Sequence, residues 1–279
     1  MSSDNKRHVV NNPWETLRQF TDARIGLGRA GISLPTHQML KFQLEHAQAR
    51  DAVHFPLDFS ELESQLKTLS QCPTYPVMQL KSRAEDRVIY LQRPDFGRRL
   101  NEQAREQLTQ FQHANNEQVS SAFDLAIVVV DGLSSLAVQK NIAPFLTELL
   151  PGLTSHSNPW SLAPITLIEQ GRVAIGDEVG ELLNAAMVLV LIGERPGLSS
   201  PDSLGAYLTF NPKVGLTDAS RNCISNIRPA GLSYREAARR ALYLMNEARH
   251  LKLSGVNLKD RTEDEVVSTI GSSKNFLIS

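Results

Sequence analysis

Two kinds of apolar pattern divide the chain. From about Asp124 onward, Leu125–Val130 and Ala185–Ile192 are unbroken apolar runs, ended by Asp131-Gly132 and Gly193-Glu194. Pro164–Ile168 and Ala206–Phe210 are weaker runs of the same kind. Successive strand residues point to opposite sides, so an unbroken run predicts a strand buried on both faces. Between the runs lie helical stretches, Ser135–Leu149, Ala174–Asn184 and Tyr234–Leu253. The last opens on Ser233 and Glu236, a capping box, and sets Ala241, Met245 and Ala248 on one face. Strands alternating with helices predict βαβ units with a mainly parallel sheet covered on both faces, an α/β fold. Ligands of such sheets sit beyond the carboxyl ends of the strands. A site is therefore expected in the loops that begin at Asp131, Glu169, Gly193 and Asn211.

The first part of the chain has a different rhythm. Asn12-Pro13-Trp14-Glu15 has the makings of a helix start, with a capping Asn, Pro at the first helical position and a Glu close behind. The helix predicted over Thr16–Ile25 would stop at the glycines between Gly26 and Gly31. A second is expected over Thr36–Val53, with Leu40, Leu44 and Ala47 as its apolar stripe. A third begins near Asp58 or Ser60, and a fourth covers Gly97–Asn115, rich in good helix formers. Pro151–Ser161 reads as a surface loop. The expected organisation is a disordered leader (1–12), a helical N-terminal region (13–116), a βαβ domain (117–260) and a C-terminal tail (261–279).

Composition narrows the class without naming a partner. The chain has 279 residues, 29 basic and 30 acidic, for a formal net charge of −1. No basic excess or stripe of the kind nucleic-acid binders carry is visible. The two cysteines, Cys72 and Cys223, form no CxxC pair and fit free thiols in a reducing cytoplasm. No apolar run approaches the roughly 18 residues of a membrane helix, and Met1–Asn12 has no apolar signal-peptide core. The expected location is the cytoplasm.

Several stretches hold candidate chemistry, each beside a plain structural reading. Asp131-Gly132-Leu133-Ser134 would bring backbone N–H groups and a helix start to a polar ligand, or would be a strand-to-helix turn with Asp and Ser as caps. Gly26-Leu27-Gly28-Arg29-Ala30-Gly31 has the GxGxxG spacing but follows a helical pattern, so a helix stop suits it better than a dinucleotide loop. Gly193-Glu194-Arg195-Pro196-Gly197-Leu198 follows the most hydrophobic strand. There Glu194 would either accept from ligand amides or pair locally with Arg195. Cys223 sits in a small polar stretch that reads as a loop packing the thiol against something apolar, with no histidine near in sequence, so a nucleophilic role lacks its base. His46 and His54 lie two helical turns apart, too far to share a metal, and no zinc signature exists. Arg93-Pro94-Asp95-Phe96-Gly97-Arg98-Arg99 is either a partner-docking turn or a solvated helix start.

Eight stretches together resemble one family. Thr21–Gly31, Leu44–His54, Tyr90–Leu100, Asp131–Ser134, Gly171–Gly180, Gly193–Leu198, Cys223–Ile227 and Ser254–Leu258 follow in order the pattern of ethanolamine ammonia-lyase small subunits. The resemblance covers about residues 12–260. It implies a helical N-terminal region followed by a Rossmann-like βαβ domain with a mainly parallel sheet. It also implies a hetero-oligomer with a large subunit, a (β/α)₈ barrel that holds ethanolamine and carries out its conversion to acetaldehyde and ammonia. Adenosylcobalamin would lie between the subunits with its benzimidazole kept on cobalt. The absence of an Asp-x-His-x-x-Gly segment agrees with that base-on form. The family's cobalamin contacts fall on Val173, Glu194 and Cys223, with no catalytic residue and no protein metal ligand in this chain. Val173 would give backbone and apolar contact, Glu194 would accept from corrin amides, and Cys223 would pack or hydrogen-bond. Some relatives carry a longer leader linked to packaging in a bacterial microcompartment; the leader here, before Pro13, is short. The rival expectations are a stand-alone Rossmann-like nucleotide- or ligand-binding protein and a structural adaptor for a barrel enzyme.

Overall fold

The computed structural model describes residues 12–21, 23–115, 123–154 and 159–262. Most of the leader, Asp22, the expected region boundary at 116/117, His8, His156, the middle of the expected loop at 151–161 and the tail beyond 262 lie outside the described residues. The fold is mixed α/β, built on one six-stranded sheet. Its strands are β1 (Met78–Lys81), β2 (Phe123–Val130), β3 (Thr166–Glu169), β4 (Ala185–Gly193), β5 (Leu204–Phe210) and β6 (Arg221–Ile227), in the order β1-β3-β2-β4-β5-β6. The first four pair in parallel; β4–β5 and β5–β6 are antiparallel.

The helices are α1 (Thr36–His54), α2 (Phe59–Lys67), α3 (Arg87–Gln92), α4 (Glu102–Asn115), α5 (Ser135–Thr154), α6 (Ile175–Leu182) and α7 (Tyr234–Leu251). Side-chain caps set several starts: Asp58 accepts from Glu61 N at 2.9 Å, Asp86 from Ile89 N at 2.8 Å, and Ser233 from Glu236 N at 3.4 Å. On one face of the sheet α2, α5 and α7 bury Leu125, Ile127 and Val129 of β2 with Met187, Leu189 and Leu191 of β4. On the other, α4 and α6 bury the alternate residues, Ala126, Val128, Val130, Val188, Val190 and Ile192. The two unbroken apolar runs are thus the two strands covered on both faces. No helix among the described residues is long and apolar enough to cross a membrane.

Four local expectations are corrected. The predicted helix over Thr16–Ile25 is a 3-10 turn, Pro13–Gln19, capped by Asn12, whose side chain accepts from Trp14 N at 3.2 Å. Gly26, Gly28 and Gly31 all stand at positive φ, where a helix cannot continue. The stripe on α1 is not a core stripe: Leu40 is 60% and Leu44 59% exposed, and only Gln38 and Ala52 are buried. Pro151–Thr154 continues α5, because Leu149, Leu150 and Leu153 are buried in the core and hold the last turn against the proline. The stretch around Cys223 is strand β6 rather than a loop.

Candidate functional site

The parallel strands end against loops that are filled from within. Asp131, at the end of β2, is buried, and its carboxylate accepts from Gln170 N at 3.0 Å and Gly171 N at 3.1 Å. It thereby ties the end of β2 to the turn after β3. Complete burial pushes its pKa up to about 6, against the pull of those N–H groups and of Arg87. Leu133 N donates to Gly193 O at 3.0 Å, and Ser134 Oγ accepts from Ala137 N at 3.2 Å. A Cβ on Gly193 would stand 2.0 Å from Ser134 O, so the two loops touch through backbone alone. Of the two expected caps, Ser134 caps the helix start, whereas Asp131 ties two loops together.

The turn after β3 presents Val173. It is half-buried against the α4/α6 side of the core, and its N–H finds no acceptor among the described residues. The neighbouring Arg172 is fixed by its own N–H, which donates to Gly97 O at 2.7 Å, and by its guanidinium stacked 4.2 Å over the Tyr90 ring. A free, half-buried backbone donor beside an apolar side chain suits a ligand carbonyl.

Glu194 follows β4, held by its N–H to Ser203 O at 3.0 Å. Its Oε2 accepts from Asn226 N at 3.2 Å, whereas Oε1 has no donor among the described residues. Gly205 makes the space, since a Cβ there would stand 3.1 Å from Oε1. No ion pair joins Glu194 to Arg195 among the described residues. Cys223, on β6, is exposed, with its sulfur 3.1 Å from Ser225 Oγ. It stands opposite Tyr207 in the β5–β6 register.

Tyr207 links the three positions. It packs against the same core side as Val173, and it faces Cys223 across the β5–β6 pair. Burial raises its pKa well above the usual phenol value, with Cys223, Glu194 and Asp218 adding to the rise. Beside it opens a cleft of about 720 Å³, lined among others by Arg98, Arg172, Val173, Asp177, Tyr207 and Asp218. Its floor is braced by the buried Arg221, which makes a bidentate bond to Asp177 at 2.6 and 2.7 Å and another to Thr209 Oγ1 at 3.1 Å. Val173, Glu194 and Cys223 are thus set around one residue on one face.

The family resemblance named those three; the sequence reading marked the Arg93–Arg99 stretch that holds Arg98 without tying it to them, and did not single out Tyr207 or the Arg221–Asp177 tie. Tyr207 carried a signal, being the one large polar-tipped side chain alternating with Leu204, Ala206 and Leu208. Among the described residues no group of three or more His, Cys, Asp or Glu stands close enough to hold a metal ion. The site offers one carboxylate acceptor, hydroxyl and thiol donors, a backbone N–H and apolar surface. Among the described residues Cys223 has the Ser225 hydroxyl as its partner and no histidine.

The family model for the ethanolamine ammonia-lyase light chain (EutC) matches residues 11–259. The chain is 55% identical over 277 residues to an ethanolamine ammonia-lyase small subunit of Pseudomonas fluorescens (strain SBW25), covering 97% of this chain and 95% of that protein. It is 56% identical to that of Azotobacter vinelandii over 271 residues, 97% of each chain. To that of Pseudomonas aeruginosa (strain LESB58) it is 52% identical over 279 residues, 98% of each chain.

Proposed function

The chain belongs to the ethanolamine ammonia-lyase light-chain family, and on that premise we propose that it is the cofactor-gripping subunit of a two-subunit lyase. In this reading it holds adenosylcobalamin, base-on, against a large subunit that converts ethanolamine to acetaldehyde and ammonia. The observation that carries it is the donor-free Oε1 of half-buried Glu194, grouped with Tyr207, Cys223 and the unpaired Val173 N–H.

The residues present fit the cofactor. The rim of a corrin ring bears primary amides, each with N–H donors and a carbonyl acceptor. Glu194 Oε1 matches the donors, the Val173 N–H matches a carbonyl, and the Val173 and Tyr207 side chains match apolar ring surface. Gly205 is the cradle a Cβ would fill. When bound, adenosylcobalamin supplies the radical chemistry. This chain's own part is to bind and orient: Glu194 fixes one amide, the turn at Val173 fixes height above the sheet, and Cys223 with Ser225 closes the edge.

A large-subunit partner is supported by the name "small subunit" of the relatives and by apolar side chains left in solvent. Trp14, Phe20, Ile32, Leu40, Leu44 and Phe55 all lie exposed within 14–55. Each buried in a contact would contribute roughly 1.5–3 kcal/mol, so a surface of this kind reads as one awaiting a protein. Reconstitution tests the proposal. Purified chain with ethanolamine and adenosylcobalamin should release no acetaldehyde until the large subunit is added. Turnover by this chain alone, or no turnover by the pair, would overturn it.

A further inference from the structure

The turn Arg93–Arg99 has a cation left over. Arg93 pairs with Asp95 at 2.7 Å, and Arg99 grips Glu178 through two bonds of 3.0 Å. Arg98 forms no ion pair or side-chain hydrogen bond among the described residues and is exposed. Its place is nevertheless fixed, because Arg172 N donates to Gly97 O and so fastens the Phe96–Arg98 turn to the segment that presents Val173. Arg98 therefore lines the cleft that Val173 and Tyr207 also line. A second arginine, Arg172, lines it too, and its Nε is buried without an acceptor. Of the acids there, Asp95 is taken by Arg93, and Asp177 and Asp218 share Arg221. Across the cleft, Gly215 at positive φ leaves open space, with no atom within 4 Å of where a Cβ would be.

We infer that this cleft is a subsite for a phosphodiester, the one in the nucleotide tail of cobalamin, with Arg98 as its counter-ion. The inference rests on the cofactor-binding reading above. It follows from the chemistry of the two sides. The corrin amides are neutral, and the tail phosphate is the anionic group of the cofactor, so an unpaired arginine beside the Val173 contact has that group to meet. Arginine suits phosphate through its planar fork of donors. The cleft volume of about 720 Å³ lies within the roughly 300–1,000 Å³ usual for small-ligand pockets.

The test uses the complete complex with the large subunit and reads equilibrium affinity by dialysis and absorbance. Adenosylcobalamin is compared with adenosylcobinamide, which lacks phosphate and base, on wild type, Arg98→Lys and Arg98→Met. Arg98→Met is expected to weaken adenosylcobalamin by about 10-fold, the loss of one charge-assisted hydrogen bond, and to leave adenosylcobinamide unchanged. Arg98→Lys should fall between. The salt dependence of adenosylcobalamin affinity should flatten in Arg98→Met. Equal weakening of both corrinoids overturns the inference. So do unchanged adenosylcobalamin affinity and salt dependence, even where cobinamide is held too weakly to compare. A wild-type complex that binds neither corrinoid removes the cofactor-binding reading itself and the inference with it. Melting of the chain should change little in Arg98→Met, since Arg98 forms no ion pair or side-chain hydrogen bond among the described residues and acts only at longer range on the exposed Asp95.

Discussion

Replacing Arg221 by Met would leave the Asp177 carboxylate buried without its partner. Both side chains are 2% exposed, and the pair is held by two bonds of 2.6 and 2.7 Å. Arg221 also gives up bonds to Thr209 Oγ1 at 3.1 Å and Leu216 O at 3.3 Å. Breaking a buried pair from one side costs about 3–5 kcal/mol, because the remaining charge has no water to turn to. At roughly 2–4 °C per kcal/mol for a chain of this size, Arg221→Met should melt on the order of 6–20 °C lower. Asp177→Leu should cost less, since the guanidinium keeps Asp218 at 3.3 Å and Thr209 Oγ1 at 3.1 Å. The double variant Arg221→Met/Asp177→Leu removes both charges and should recover most of the loss, since an apolar pair of similar volume often matches a buried ion pair. Thermal melts and urea unfolding of all four proteins give the coupling energy directly. A loss below about 1 kcal/mol in Arg221→Met would refute the reasoning. So would a double variant as unstable as the sum of the singles.

Three further outcomes follow from the same geometry. Glu194→Ala should weaken cobalamin binding to the complex by about 10–100-fold, with Glu194→Gln in between, and lower the chain's melting temperature only slightly through the lost, exposed bond from Asn226 N. Unchanged affinity with a lower melting point would overturn the assignment and leave Glu194 as a structural tie to Asn226. Asp131, whose pKa burial raises from 3.8 to about 6, keeps a proton when folded that the unfolded chain has released between those values. Its contribution to stability is thus full below about pH 4 and lost by about pH 6, at most about 3 kcal/mol. The gap in unfolding free energy between wild type and Asp131→Asn should narrow from pH 4 to pH 7, and a widening gap refutes it. Within one motif, Gly193→Ala should yield little soluble protein, because its Cβ meets Ser134 O and Asp131 O. Gly197→Ala, with nothing nearer than 3.7 Å, should melt within about 0.5 kcal/mol of wild type.

The strands most plainly written in the sequence were those buried on both faces. β2 and β4 are unbroken runs because α5 and α7 cover one side and α4 and α6 the other. β3, four residues long, showed only as the weaker run Pro164–Ile168, and β1, four residues long, and α3, six residues long, are too short for periodicity to show. β6 was read as a loop because it is an edge strand: Cys223, Ser225 and Asn226 face solvent, and only Arg221, Ile224 and Ile227 are buried. Arg221 compounds the difficulty, since its burial depends on Asp177, 44 positions away. The stripe on α1 erred in the opposite direction. Helical spacing of Leu40 and Leu44 says that they share a face, and says nothing about which chain covers that face.

Of the three positions proposed to meet the cofactor, Val173 and Glu194 lie in loops at carboxyl ends of strands, where the sheet rule points, and Cys223 does not. The reason lies in how the sheet is finished. Parallel strands covered on both faces have no side chain to spare for a ligand. Their polar residues, such as Asp131, are consumed in tying loops together. The antiparallel strands β5 and β6 carry the sheet past α6, so one face of this edge is left without a helix. There Tyr207, Cys223 and Ser225 can be polar without disturbing the core, which lies under their neighbours Ala206, Leu208 and Ile224. What a covering helix would otherwise do, holding the edge strand in place, falls to the Arg221–Asp177 pair, which joins β6 to the start of α6. The edge of a βαβ sheet thereby becomes a rigid, uncovered shelf, with Glu194 at one end and the Val173 turn at the other.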